Sequence, residues 1–137
     1  MITFNYQTDF ILNNESYISE WIQEIIILER YQLGEITYVF CDDASLHKLN
    51  LEFLNHDEYT DIISFDYSVE RQLSGEIYIS IERVTDNANL YQSTFENELC
   101  RVMIHGILHF MGFKDKTKHQ QKEMTEKENL CISMLNA

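Results

Sequence analysis

Two histidines four residues apart, His105 and His109, followed by Gly112 and Asp115, carry the chemistry of this chain. On a helix, positions i and i+4 project from one face, a turn apart. Two imidazoles so placed can meet one metal ion. Gly112 permits a sharp turn three residues later. Asp115 then stands where the returning chain supplies a third ligand, and His119, four residues on, is its rival. Two imidazoles and one carboxylate suit a single Zn(2+) ion, with a fourth position left for water, and an open position is what makes a zinc site catalytic. Such an ion lowers the pKa of water and polarises carbonyl or phosphoryl oxygens.

The spacing H-x-x-x-H-x-x-G-x-x-D lies close to that of zinc peptidases, with one difference that decides the class. Peptidases place a glutamate directly after the first histidine as general base; here that position is Gly106. A peptidase reading is set aside on that residue. The pair alone is weak evidence, because histidines recur at this spacing by chance. Their surroundings strengthen it: Leu99, Val102, Met103, Ile104, Ile107, Leu108, Phe110 and Met111 make the segment apolar. Imidazoles in such a setting are costly unless bonded. Glu98, seven residues before His105, can orient a ligand from the same face, although an ordinary surface glutamate is the commoner case.

These residues need a scaffold, and the apolar periodicity supplies one. Ile2–Tyr6 alternates as a strand, and 13–32 has helical spacing ending near Gly34. Residues 36–41 read as a strand, and Asp42 or Asp43 caps a helix running through Phe53. Strands follow at 62–67 and 76–81, with 68–74 a mobile loop between them. A helix is expected from 82 to about 91. Ser93-Thr-Phe-Glu96 has capping-box form and opens the histidine helix. The last helix runs from about 118 to 135, with Met124, Leu130, Cys131 and Met134 as its buried stripe. The expected class is α+β, a single domain over 1–137, with a small mixed sheet of about four strands and about five helices.

The bulk composition bounds the rest. A chain of 137 residues with 45% apolar content has material for one core. No apolar run is long enough to span a membrane, and the first residues do not read as a signal peptide. Cys41, Cys100 and Cys131 are scattered and odd in number, as in a reduced cytoplasmic protein. The net charge of -13 opposes simple nucleic-acid binding, which rests on Lys and Arg. A nucleic-acid substrate would need a local basic patch, a metal or a partner. His47 and His56 read as surface residues, and Tyr59-Thr60-Asp61 as a turn.

Taken together, three segments resemble the YbeY family of metal-dependent endoribonucleases. They are His105-Gly-Ile-Leu-His109-Phe-Met-Gly112-Phe-Lys-Asp115, Leu49-Asn50 with Thr60-Asp-Ile-Ile-Ser-Phe65, and Gly75-Glu-Ile-Tyr-Ile-Ser80. Gly106 is that family's own residue. The resemblance implies a zincin-like fold and one zinc held by His105, His109 and Asp115. It also implies a substrate pocket near Thr60, Asp61 and Ser64. The implied activity is cleavage of single-stranded RNA, in maturation of the 16S rRNA 3′ end and in ribosome quality control. Implied partners are rRNA, a small-subunit ribosomal protein and an assembly GTPase, with no membrane. Two positions depart from the pattern: Asp115 replaces a histidine, and Leu54 stands where an arginine is usual. Arg71, Arg83, Arg101 and Lys114 are the cations available in its place. The net charge and Leu54 keep open a non-catalytic ribosome-assembly factor with a structural zinc.

Overall fold

The computed structural model describes residues 1–135. The elements run β1 (Ile2–Tyr6), α1 (Glu15–Leu28), β2 (Gln32–Cys41), α2 (Asp43–Leu54), β3 (Ile62–Asp66), β4 (Gln72–Ser80), α3 (Ile81–Leu90), α4 (Phe95–Phe110) and α5 (Lys118–Leu135). The sheet order is β1-β2-β4-β3. β1, β2 and β4 are parallel, and β3 returns antiparallel to β4. This is the expected mixed sheet of four strands with five helices. Among the described residues no helix is long and apolar enough to cross a membrane.

Strand alternation divides the side chains between two faces. Ile36, Tyr38 and Phe40 of β2, with Ile77 and Ile79 of β4, face α1, α4 and α5 and form the main core. Cys41 and Ile63 point the other way and pack with Leu46 under α2. Two polar side chains pin helices at fixed places. The Tyr38 hydroxyl donates to Met103 O of α4 at 2.9 Å, and Trp21 Nε1 donates to Cys131 O of α5 at 2.8 Å. Fully buried, each would cost an unmet hydrogen bond if the helices shifted.

Five expectations are corrected. The first helix ends at Leu28, not Gln32. Arg30 turns left-handed at φ 65, and Arg71 reaches across to donate to the carbonyls of Glu29 and Arg30. Gly34 therefore does not end a helix but lies inside β2. A Cβ there would stand 2.1 Å from Ser74 Oγ and 2.7 Å from Leu73 O, so the close strand approach requires glycine. Residues 68–74 are not a loop throughout: a tight turn at Glu70 (φ 55) leads into β4 at Gln72. α4 is capped by Thr94, which accepts from Asn97 N at 3.1 Å, one residue after the expected cap. Leu130, expected inside, is 62% exposed, and Glu128 takes the inward position.

α4 lies directly on the sheet near its C-terminal end. A Cβ on Gly75 would stand 2.4 Å from Phe65 O and 2.6 Å from Phe110 Cζ. The backbone oxygen cannot retreat without breaking the β3–β4 ladder. Gly75→Ala is expected to lower stability by about 1–3 kcal/mol through overpacking, more than the roughly 0.4–1 kcal/mol gained from a stiffer unfolded chain. Urea denaturation would read this as a lower midpoint at unchanged slope.

Candidate metal centre

α4 delivers His105 and His109 one turn apart, and its ending delivers the third ligand. At Gly112 (φ +100) the chain reverses, with Phe113 N donating to Leu108 O at 3.0 Å. This 6→1 bond closes a left-handed helix end, a conformation glycine adopts without penalty. The reversal brings Asp115 back beside the helix. His105 Nε2 and His109 Nε2 are 2.9 Å apart, and Asp115 Oδ2 lies 3.2 and 3.4 Å from them. One ligand atom from each residue lies within 4.8 Å of the others.

The hydrogen bonds at the far side of each ring fix what these atoms are. His105 Nδ1 meets Glu128 Oε2 at 2.6 Å, and His109 Nδ1 meets Phe113 O at 2.9 Å. A carboxylate and a carbonyl only accept, so Nδ1 carries the proton in both rings. Both Nε2 lone pairs and a carboxylate oxygen then point at one another. Such a set of acceptors repels itself unless a cation stands among them. The spacing fits one: ligands at about 2.0–2.1 Å in tetrahedral geometry sit about 3.3 Å apart. The donor set thus fits a divalent metal ion.

Glu128 is the residue that sequence reasoning missed. It is 6% exposed, and its second oxygen accepts from Arg101 at 3.0 Å, while Arg101 also donates to Asn129 at 2.8 Å. The orienting carboxylate is therefore from α5, not Glu98. The signal was present in the pattern: Glu128 follows Met124 by four and precedes Cys131 by three, on the buried stripe. Burial disfavours the charged form of His105, but the bond and charge of Glu128 outweigh it, helped by Asp115 and Asp61. The net shift of its pKa is upward.

The other expected site residues are distributed as follows. Asp61 enters a cleft of about 250 Å³ beside His105, which Glu98 and Arg101 also line. Burial raises the pKa of both Asp61 and Glu98. Thr60 Oγ1 donates to Ile62 O at 3.2 Å in the turn before β3, and Ser64 pairs with Ile77 within the sheet. Neither is part of the cleft wall. His119 is exposed and pairs with Glu123 at 2.8 Å, away from the three ligand atoms. His47 stacks on Tyr59 and meets Asp57 at 2.9 Å. Leu54, at the end of α2, is 43% exposed. Gly106 faces the sheet: a Cβ there would stand 2.9 Å from Ile77 Cδ1 and 3.2 Å from Ile62 Cδ1. A side chain at this position is directed into the core rather than toward the two imidazoles.

Comparison with known proteins agrees with this architecture. The family model described as Endoribonuclease YbeY matches residues 3–136. A protein of Flavobacterium johnsoniae named Endoribonuclease YbeY is 51% identical over 136 residues, 99% of this chain and 98% of its own. One of Bacteroides thetaiotaomicron with the same name is 41% identical over 116 residues, 85% of each chain. Among solved structures, that of TM1509 from Thermotoga maritima superposes with a TM-score of 0.72 at 28% identity. It covers 98% of this chain and 89% of that one.

Proposed function

Because this chain belongs to the Endoribonuclease YbeY family, we propose that it is a zinc-dependent endoribonuclease acting on single-stranded RNA. Its role would be 16S rRNA 3′-end maturation and ribosome quality control in the cytoplasm, beside a small-subunit ribosomal protein and an assembly GTPase. One observation carries the catalytic part: the three side chains whose acceptor atoms converge are each partly exposed to solvent. The side chains of His105, His109 and Asp115 are 20%, 30% and 41% exposed. Among the described residues no fourth ligand joins them. A structural zinc site is closed by four protein ligands, and a catalytic one keeps a position free. That difference favours the enzyme over an assembly factor whose zinc only braces the fold.

One zinc held by His105, His109 and Asp115 would supply Lewis acidity to water and to a phosphoryl oxygen. The chain's own residues do the rest. Glu128 and the Phe113 carbonyl hold the two rings by Nδ1, so both Nε2 atoms stay aimed at one point. Asp115 lowers the positive charge of the centre relative to a third imidazole. Gly106 offers no base. Asp61 and Glu98 are the carboxyls beside His105 whose raised pKa suits proton exchange with water or a leaving oxygen. Asp61 is thereby the member of the expected Thr60, Asp61 and Ser64 pocket with the most direct part to play.

The test is cleavage of single- and double-stranded RNA by purified protein, before and after chelation. Loss of single-strand cleavage on chelation, restored by zinc, is expected. A protein that holds zinc tightly yet cleaves no RNA would leave the assembly-factor reading in its place.

A further inference from the structure

Four of the ten lysines and arginines, Lys114, Lys116, Lys118 and Lys122, fall in the nine residues 114–122, which hold only one of the 23 acids, Asp115. All four side chains are exposed. Ion pairs among the described residues engage other cations: Lys48 with Glu52, Arg83 with Asp43, Arg101 with Glu128 and Lys127 with Glu29. Arg71 is held by two carbonyls and the Tyr31 ring. The largest concentration of uncommitted positive charge in a chain of net charge -13 thus lies at one turn. Balancing an acidic surface is the plain explanation of such a cluster, but it does not account for three further facts.

The first is position. Lys114 and Lys116 flank Asp115, whose Oδ2 lies 3.2 Å from His105 Nε2. The second is rigidity. Thr117 Oγ1 accepts from Gln120 N at 3.0 Å, and Gln120 Oε1 accepts from the backbone of Lys116 and Thr117 at 3.1 Å. This reciprocal cap fixes the turn and occupies its N–H groups, so an anion would be met by ammonium groups. The third is sidedness. The cleft beside His105 is walled by Asp61, Glu98 and Glu128, with its Arg101 already paired. It offers a polyanion no unpaired lysine or arginine. Beside the lysine turn runs an open groove of about 490 Å³, lined by Phe113, Lys114, Gln120 and Glu123, whose carboxylate meets His119 Nε2 at 2.8 Å.

We propose that residues 114–122 are a phosphate-tracking strip, in which Lys114, Lys116, Lys118 and Lys122 bind the phosphates that flank the one presented to His105, His109 and Asp115. The inference rests on the endoribonuclease reading. It answers how so acidic a protein holds a polyanion: the charge is local, adjacent to the metal centre and one-sided. Lysines act as point charges that recognise backbone rather than base. The strip therefore makes binding salt-dependent and indifferent to sequence.

Fluorescence anisotropy of a short single-stranded RNA with the zinc-loaded protein, over a salt series, tests this. The variant carrying Lys114→Gln, Lys116→Gln, Lys118→Gln and Lys122→Gln is expected to bind about tenfold more weakly or worse, with a log K against log salt slope shallower by about three. Its zinc content and unfolding temperature should match the parent. A Lys114→Gln, Lys116→Gln pair should lose more affinity than an Arg30→Gln, Lys48→Gln pair, which removes equal charge elsewhere. Equal losses in the two pairs would overturn the strip, since binding would then follow net charge alone. An unchanged slope in the fourfold variant, with the parent binding RNA, overturns the strip and leaves the nuclease reading standing. Failure of the parent itself to bind RNA overturns both.

Discussion

His109→Ala will bind zinc about 100-fold more weakly than the parent, or worse, while keeping its fold. Structural zinc sites of four ligands are worth about 10–16 kcal/mol, so one ligand carries about 3 kcal/mol, and every 1.4 kcal/mol is tenfold. The fold should survive because the imidazole side chain is 30% exposed. The loss there is one hydrogen bond, to Phe113 O, worth about 1 kcal/mol. Removing it also relieves the crowding of acceptors at Nε2, so the metal-free variant should unfold within a few degrees of the metal-free parent. Competition against a chromophoric chelator gives the affinity, and thermal unfolding of metal-free protein gives the fold. Equal zinc affinity in the two proteins would remove His109 from the site.

The second large effect is expected at a residue that touches no metal. Glu128→Gln should weaken zinc binding by about 10–100-fold, the usual range for loss of an orienting partner of a metal-bound histidine. Glutamine keeps the shape and can still accept from His105 Nδ1, but the charge is gone. In the metal-free protein the His105 pKa should therefore fall, since Glu128 is what holds it above the usual histidine value against burial. Histidine NMR titration reads that shift, which a purely structural role would not produce. Glu128→Ala should add a stability loss of about 1–3 kcal/mol, because it leaves the half-buried His105 ring without its acceptor and Arg101 with Asn129 alone. An unshifted His105 titration with unchanged zinc affinity in Glu128→Gln would show the contact to be incidental.

The parts of the site that were legible in the sequence were those set by local geometry. His105, His109 and Asp115 lie within eleven residues, and helix spacing plus one left-handed glycine suffices to bring them together. Glu128 lies 23 residues from His105 on another helix. Its approach depends on how α5 packs against α4, which no local rule fixes. The apolar pattern of α5 assigns its inward stripe to Leu130, whereas the His105 ring is met by a carboxylate one turn from Met124. Boundary errors have the same origin. Gly34 looks like a helix stop until Ser74 of a distant strand approaches within 2.1 Å of its missing Cβ. Arg71, 41 residues beyond Arg30, stabilises the early end of α1 by capping its carbonyls. Gly106, which the sequence shows only as a missing base, is explained by contact with Ile77 and Ile62 across the helix–sheet interface.

That one metal ion, held by His105, His109 and Asp115, acts on single-stranded RNA is the central proposal for this protein. Its most direct test is a zinc titration of the metal-free protein, with the initial rate of single-stranded RNA cleavage as readout. The rate is predicted to start near zero, rise in proportion to added zinc and level off at one equivalent per chain, and to stay near zero throughout for His109→Ala. Full cleavage by the metal-free protein, or the same curve from His109→Ala, would contradict it.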